Sequence, residues 1–294
     1  MEVNCRECAG CCIDWRPIAP AASEHERRGL ESPLDDRYNM VPLTRDDIRT
    51  MLDVGYGDAM RPRLWTAAGE DRETVEIDDR DIVAMNGRPL YMIGLRQVSK
   101  PVTPFGTEPR WLRTCSFLDP QTLQCRIHEQ SAYPTTCAAY PGQHLAMDVE
   151  TECERVEAAF GGDRLVDDDP PEELPPAPFG REALGWTVFA HPEPDRLTGM
   201  IERIAADGMT TDDRAEFVGM AAGHSPGTLT INPAAVESAT STVRETTSWV
   251  GRAIKAWRRR AGNEESSPAD AAIVEETRGA PATSGWTGDA SHSC

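Results

Sequence analysis

The feature that most constrains this chain is where its cysteines fall. Nine are present. Four open the chain as C-x2-C-x2-C-C, at Cys5, Cys8, Cys11 and Cys12, and four more follow at Cys115, Cys125, Cys137 and Cys153. The ninth, Cys294, ends a Ser/Gly/Ala-rich stretch and reads as a frayed thiol outside the group. A C-x2-C step lets a tight turn aim two sulfurs at one ion while nearby backbone amides donate to them. Cys5, Cys8 and Cys11 are spaced by three, so a coil of about three residues per turn presents them on one side. Adjacent side chains diverge, so Cys12 reads as a ligand to something else or as a support.

Three thiols rarely complete a site, so folding must bring the second group to the first. Eight cysteines divide into two four-thiolate sites, or into one iron–sulfur cluster plus a zinc, or into one cluster with spare thiols. Thiolates suit zinc and iron–sulfur clusters alike, and spacing alone does not choose. The bacterial ferredoxin pattern also starts C-x2-C-x2-C, but its fourth cysteine at x3 before a proline is missing here. His128, three residues after Cys125, is a candidate nitrogen ligand or proton donor. The start of the sequence shows neither a charged n-region nor an apolar h-region, which reads as cytosolic. Thiols stay reduced there, which favours metal or redox chemistry over a disulfide framework.

Charge narrows the partners. Asp and Glu number 49 against 30 Lys and Arg, a net −19, and only Lys100 and Lys255 are lysine. Binding to DNA, RNA or an anionic membrane needs a basic surface, so none is expected. An acidic, lysine-poor surface suits solubility at high salt, a halophilic reading. No run approaches the roughly 18 apolar residues of a membrane span.

Local patterns place the elements. Thr44 caps a helix to about Gly55, with Asp46 and Asp47 in its first turn and Ile48, Met51 and Leu52 as its apolar stripe. Val75–Ile77, Asp81–Met85 and Leu90–Val98 read as strands, the last two joined by an Asn86-Gly87 turn. A second hairpin-like unit runs from Thr114 to Cys125, with turn chemistry at Asp119-Pro120. Residues 161–180 are acidic and proline-rich and read as a linker. A stripe at Leu197, Met200, Ile201 and Ile204 stops at Gly208, and Thr211 caps a segment to about Ala222. Asn232-Pro233 opens one long helix to Arg260, with Val236, Val243, Val250 and Trp257 at seven-residue intervals. Packing on the cysteine domain is favoured for it over a dimer seam or an interfacial membrane helix. These elements predict an α+β protein. Residues 1–160 form a small irregular metal-organised domain, 181–261 a helical extension and 262–294 a disordered tail.

The cysteine motifs are similar to those of the YkgJ-type family, the zinc- or iron-chelating CxxCxxCC domain. The resemblance covers about the first 160 residues. It rests on Cys5, Cys8, Cys11 and Cys12, then Cys115-Ser-Phe-Leu, Cys125-Arg-Ile-His128, Pro134-x2-Cys137, Tyr140-Pro141 and Cys153. The family arginine–proline step after the histidine position is altered here, which would pass its role to Arg126 or Arg113. The resemblance implies a metal-binding, iron–sulfur domain and leaves the reaction open between redox chemistry and group transfer to protein.

Arg6, Arg113 and Arg126 lie beside cysteines, where a cation offsets thiolate charge. His144 follows Tyr140-Pro141 and can reach the site, whereas His25, His191, His224 and His292 show no ligand spacing. No Gly-rich nucleotide loop, radical-SAM spacing or nucleophile elbow occurs. The resulting expectation is a redox or electron-transfer protein with an unidentified redox or protein partner. It holds an iron–sulfur cluster, 4Fe–4S being favoured, through the eight cysteines. A structural zinc module and a metal-dependent transferase acting on protein are the alternatives.

Overall fold

The computed structural model describes residues 1–20, 31–67, 69, 72–176, 180–261 and 267–283. His25, His292 and Cys294 lie outside the described residues. The strands are β1 (Glu2–Val3), β2 (Ser32–Pro33), β3 (Met60–Thr66), β4 (Thr74–Ile77), β5 (Arg80–Met85), β6 (Arg88–Leu95), β7 (Gln97–Val102), β8 (Arg110–Cys115), β9 (Leu165–Asp167) and β10 (Phe189–Ala190). The α-helices are α1 (Arg45–Asp53), α2 (Thr135–Ala139), α3 (Gly142–Ala146), α4 (Glu152–Phe160), α5 (Met200–Ala205), α6 (Thr211–Gly223), α7 (Pro233–Glu245), α8 (Trp249–Arg260) and α9 (Ala271–Glu275). The fold is mixed α+β, as the patterns indicated.

Local chemistry explains most of these boundaries. Thr44 Oγ1 accepts from the Asp47 N–H while the Asp47 carboxylate accepts from the Thr44 N–H, a reciprocal cap that starts α1. The stripe Ile48, Met51 and Leu52 is buried. A six-stranded antiparallel sheet runs in the order β10-β6-β3-β5-β4, with β2 added on β3. Asn86 and Gly87 both have positive φ, at 50° and 69°, as the tight turn between β5 and β6 requires.

The strand expected over Leu90–Val98 is broken at Arg96. Its N–H donates to the Ala59 carbonyl and its own carbonyl accepts from Ser116. The chain thereby leaves the main sheet, and β7 forms a separate antiparallel ribbon with β8. Within the expected linker, β9 pairs with β1 as a short edge ribbon.

The cap of α6 is Thr210 rather than Thr211. The long helix expected from Pro233 to Arg260 is two helices. Thr246 is extended, and Ser248 caps α8 by accepting from the Val250 and Gly251 N–H groups. Threonine and serine here compete for backbone hydrogen bonds, which breaks a helix that hydrophobic spacing alone would continue. Val243, Val250 and Trp257 are nonetheless buried, and Trp257 meets Trp111 of β8 edge-on at 5.9 Å between centroids. A Cβ on Gly219 would meet Thr240 Oγ1 at 2.1 Å, so glycine there lets α6 and α7 approach. Helix α9 falls inside the stretch expected to be tail, and it buries Val274 and Glu275. One core of buried apolar residues extends from Cys8 to Val274. No helix among the described residues is long and apolar enough to cross a membrane.

Candidate functional site

The N-terminal cysteine loop is held against three other segments. Glu7 and Ala9 adopt positive φ, and a 3₁₀ turn spans Gly10–Cys12. A Cβ on Gly10 would lie 2.7 Å from Val156 Cγ2, so only glycine lets the loop rest on α4, which carries Cys153. Asn39 Nδ2 donates to the carbonyls of Gly10, at 2.8 Å, and Ile13, at 3.2 Å. Ile13 bridges Thr114, and the Asp14 N–H donates to the Arg113 carbonyl at 2.8 Å, which brings Cys12 beside the end of β8 and its Cys115.

The second cysteine group is delivered by turns. Cys115 closes β8, and Cys125 returns on a bridge to Leu118. Between them Asp119 Oδ1 accepts from the Gln121 N–H, fixing the expected turn. Cys137 sits on α2, one turn after Pro134. Cys153 lies in the first turn of α4, which is started by a reciprocal Thr151–Glu154 cap.

Five thiols from four segments, Cys11, Cys12, Cys115, Cys125 and Cys137, line one cavity of about 410 Å³. Cys5, Cys8 and Cys153, together with Cys11, Cys12 and Cys125, line a neighbouring space of about 70 Å³. Cys8, Cys11, Cys12, Cys115, Cys125, Cys137 and Cys153 are free thiols, and Cys5 is disulfide-bonded. Cys11 and Cys12 sulfurs lie 3.9 Å apart. Among the described residues no three of these sulfurs lie within 4.8 Å of one another. The C-x2-C-x2-C-C run therefore does not close into a compact cluster of its own, and Cys11 and Cys12 together lie between the second group and Cys5 and Cys8.

Burial controls the protonation of these thiols. It pushes Cys8 up to about 11 and Cys125 up to about 12, and it also raises Cys115, Cys137 and Cys153. Cys11 is the exception, because a hydrogen bond from Cys12 favours its thiolate and holds it below the ordinary value. The same contact, with burial, raises Cys12.

The cations that steady the thiols are not the ones expected. Arg126 is turned away, donating to Glu275 at 2.7 Å and pairing with Asp119 at 3.0 Å. Arg113 donates to the Asp36 carbonyl, and Arg6 is exposed. Lys100 takes this place for Cys115 and Cys125, and Arg164 for Cys8, each favouring the thiolate. Lys100 is fully buried. Its Nζ donates to the carbonyls of Ser116, at 3.0 Å, and Leu118, at 2.6 Å, and pairs with Glu275 at 2.7 Å. Its rarity was the one signal in the sequence: a lysine kept where nearly every other cation is arginine.

Glu152 was also missed. It is buried beside Cys11, accepts from Trp15 Nε1 at 3.1 Å and Tyr38 Oη at 2.8 Å, and pairs with Arg155. Tyr133 and Tyr140 line both spaces, and burial and the adjacent sulfurs keep their phenols protonated. His128 stacks edge-on against Tyr133 beside the smaller space, and His144 against Tyr140 beside the larger one. His191 and His224 are buried elsewhere, bonded to Glu216 and to the Ala190 carbonyl.

Thiols are the donor type that soft metals take, and the larger cavity gathers five of them. The chain belongs to a family of unknown function, DUF7531, whose profile matches residues 1–287. This corrects the YkgJ-type assignment. The matching family spans the helices as well as the cysteine segments, whereas the resemblance rested on short motifs in the first 160 residues. No curated protein and no solved structure matches the chain.

Proposed function

We propose that this chain is a metal-binding protein whose convergent cysteines hold an iron–sulfur cluster for redox or electron-transfer work. The observation that carries the reading is the set of five free thiols, Cys115 buried and the other four partly buried, drawn from four segments to one cavity. Buried thiols with raised pKa values are inert on their own, and a bound cation is what converts them to thiolates. Cys12, Cys115, Cys125 and Cys137 with Cys11 are the primary ligand pool. Cys8 and Cys153, facing the smaller space, are the pool for a second site, with Cys5 if its disulfide opens.

Sulfur spacing favours a cluster over a single zinc ion. Four thiolates about 2.3 Å from one tetrahedral zinc stand roughly 3.8 Å from each other. Cys11 and Cys12 stand at such a distance, 3.9 Å, and among the described residues no third sulfur joins them within 4.8 Å. A cluster interposes its own iron and sulfide between thiolates and so suits wider spacing. Bound there, the cluster supplies one-electron chemistry. The chain's own residues would orient the thiolates, exclude water, and set the local charge through Lys100 and Glu152. A reducing compartment such as the cytosol fits seven free thiols.

The test is metal and acid-labile sulfide analysis of anaerobically prepared full-length protein. Stoichiometric iron and sulfide, with visible absorbance bleached by dithionite, is the expected result. A colourless protein carrying zinc at full occupancy would overturn the reading.

A further inference from the structure

A second cluster of like groups adjoins the thiol cavity, sharing Arg37 with its lining, and is made of cations. Arg37, Arg61, Arg96, Arg214 and Arg258 line one small cleft with Asp207. Five guanidinium groups converging in a chain of net charge −19 need a countercharge. Asp207 supplies part of it, pairing with Arg37, with Arg61 at 3.4 Å and with Arg258 at 3.5 Å. Asp35 pairs with Arg61 at 2.8 Å but is shared with Arg37 and Arg63.

Arg96 and Arg214 make no ion pair among the described residues. Among the described residues the Arg96 guanidinium donates only to the Asp58 carbonyl, at 2.7 Å, and that of Arg214 only to Thr211 Oγ1, at 3.3 Å. The nearest carboxylates are engaged elsewhere. Asp58 accepts from the Ser248 N–H and hydroxyl, and Asp213 binds Arg203 in a two-pronged pair. Arg214 is 6% exposed and its Nε has no hydrogen-bond partner. An uncompensated buried charge with an idle donor is costly, and the fold keeps it. Burial, then the charges of Arg214, Arg258 and Arg37, push Arg96 down to about 9.

We propose that this cleft binds a tetrahedral oxyanion of the phosphate class. Guanidinium forks match such oxygens in geometry as well as charge. The enclosed part, about 10 Å³, admits a single oxygen, while the body of the anion stays at the mouth. Arg258 and Asp207 flank that mouth, each 47% exposed. Asp207 competes with the anion for the same donors.

Calorimetric titration of the full chain with inorganic phosphate, against chloride at matched ionic strength, tests this. Saturable binding of one phosphate is expected. Arg258→Gln should weaken it about tenfold, the loss of one charge-assisted contact. Asp207→Asn should tighten it several-fold by removing the competitor. Non-saturating heats, chloride saturating as tightly as phosphate, or affinities unchanged in both variants would each overturn the proposal. The wild-type comparison of phosphate with chloride decides even where a variant fails to fold.

Discussion

The cysteine region and the α6–α8 helices share one core yet are stabilised by different means. The helices follow elementary rules: side-chain caps at Thr210, Asn232 and Ser248, buried apolar faces and close contact through Gly219. The cysteine segments have little regular structure. Their helices α2 and α3 run five residues each, too short to persist alone. What holds them is a set of specific polar ties: Asn39 to the N-terminal loop, Glu152 to Trp15 and Tyr38, and Lys100 to the Cys115–Cys125 turn. Regular structure is thus locally encoded, whereas the thiol cavity depends on long-range bonds and, on the proposed function, on metal.

The sharpest way to break this contrast is Cys137→Ser. Metal content should fall by at least half, and amide exchange should accelerate in residues 1–20 and 115–160 while α6 stays protected. Equal loss of protection in α6 would show one cooperative unit and dissolve the distinction. Next in size is Lys100→Met, which leaves Glu275 with one cation, Arg126, and the Trp257 Nε1 donor in a fully buried setting. Breaking such a pair should cost about 3–5 kcal/mol in denaturant unfolding, and adding Glu275→Gln should recover much of it. A cost below about 1 kcal/mol would show that Lys100 is not structural.

The smallest effect concerns pH in the metal-free protein. Folding raises Cys8 from 9.0 to about 11. Its protonated form is therefore favoured in the folded state, and the associated stability is full below pH 9. It is lost as pH rises through about 11, since the unfolded chain ionises first. Thermal melts of metal-free protein should fall across that window, and Cys8→Ala should flatten part of the slope. An unchanged slope would mean that Cys8 is not buried in solution.

Much of the regular structure was legible because its causes are local. Thr44 with Asp47, Asn86-Gly87 and Asn232-Pro233 each act within a few residues. The break at Thr246–Ser248 was not legible, because heptad spacing of Val243, Val250 and Trp257 survives a change of axis. At the site, the expected divergence of Cys12 from Cys11 is not what the structure shows: their sulfurs lie 3.9 Å apart and both residues line both spaces. The steadying cation did not follow from adjacency. Arg126 neighbours Cys125 in sequence, yet its side chain leaves the cavity to meet Glu275, a residue 149 positions away. Lys100 approaches from β7, and only the pairing of β7 with β8 brings it there. Family membership was obscured for a related reason: a short cysteine motif recurs more readily than a whole-chain pattern.

Lys100 has one practical consequence. The chain holds two lysines, and this one is sealed inside while Lys255 is exposed on α8. An amine-reactive dye or crosslinker therefore finds a single side-chain handle on the native fold, on the helix that follows the Ser248 cap. Reaction at Lys100 would report opening of the core around the Cys115–Cys125 turn, making this lysine an intrinsic footprinting probe.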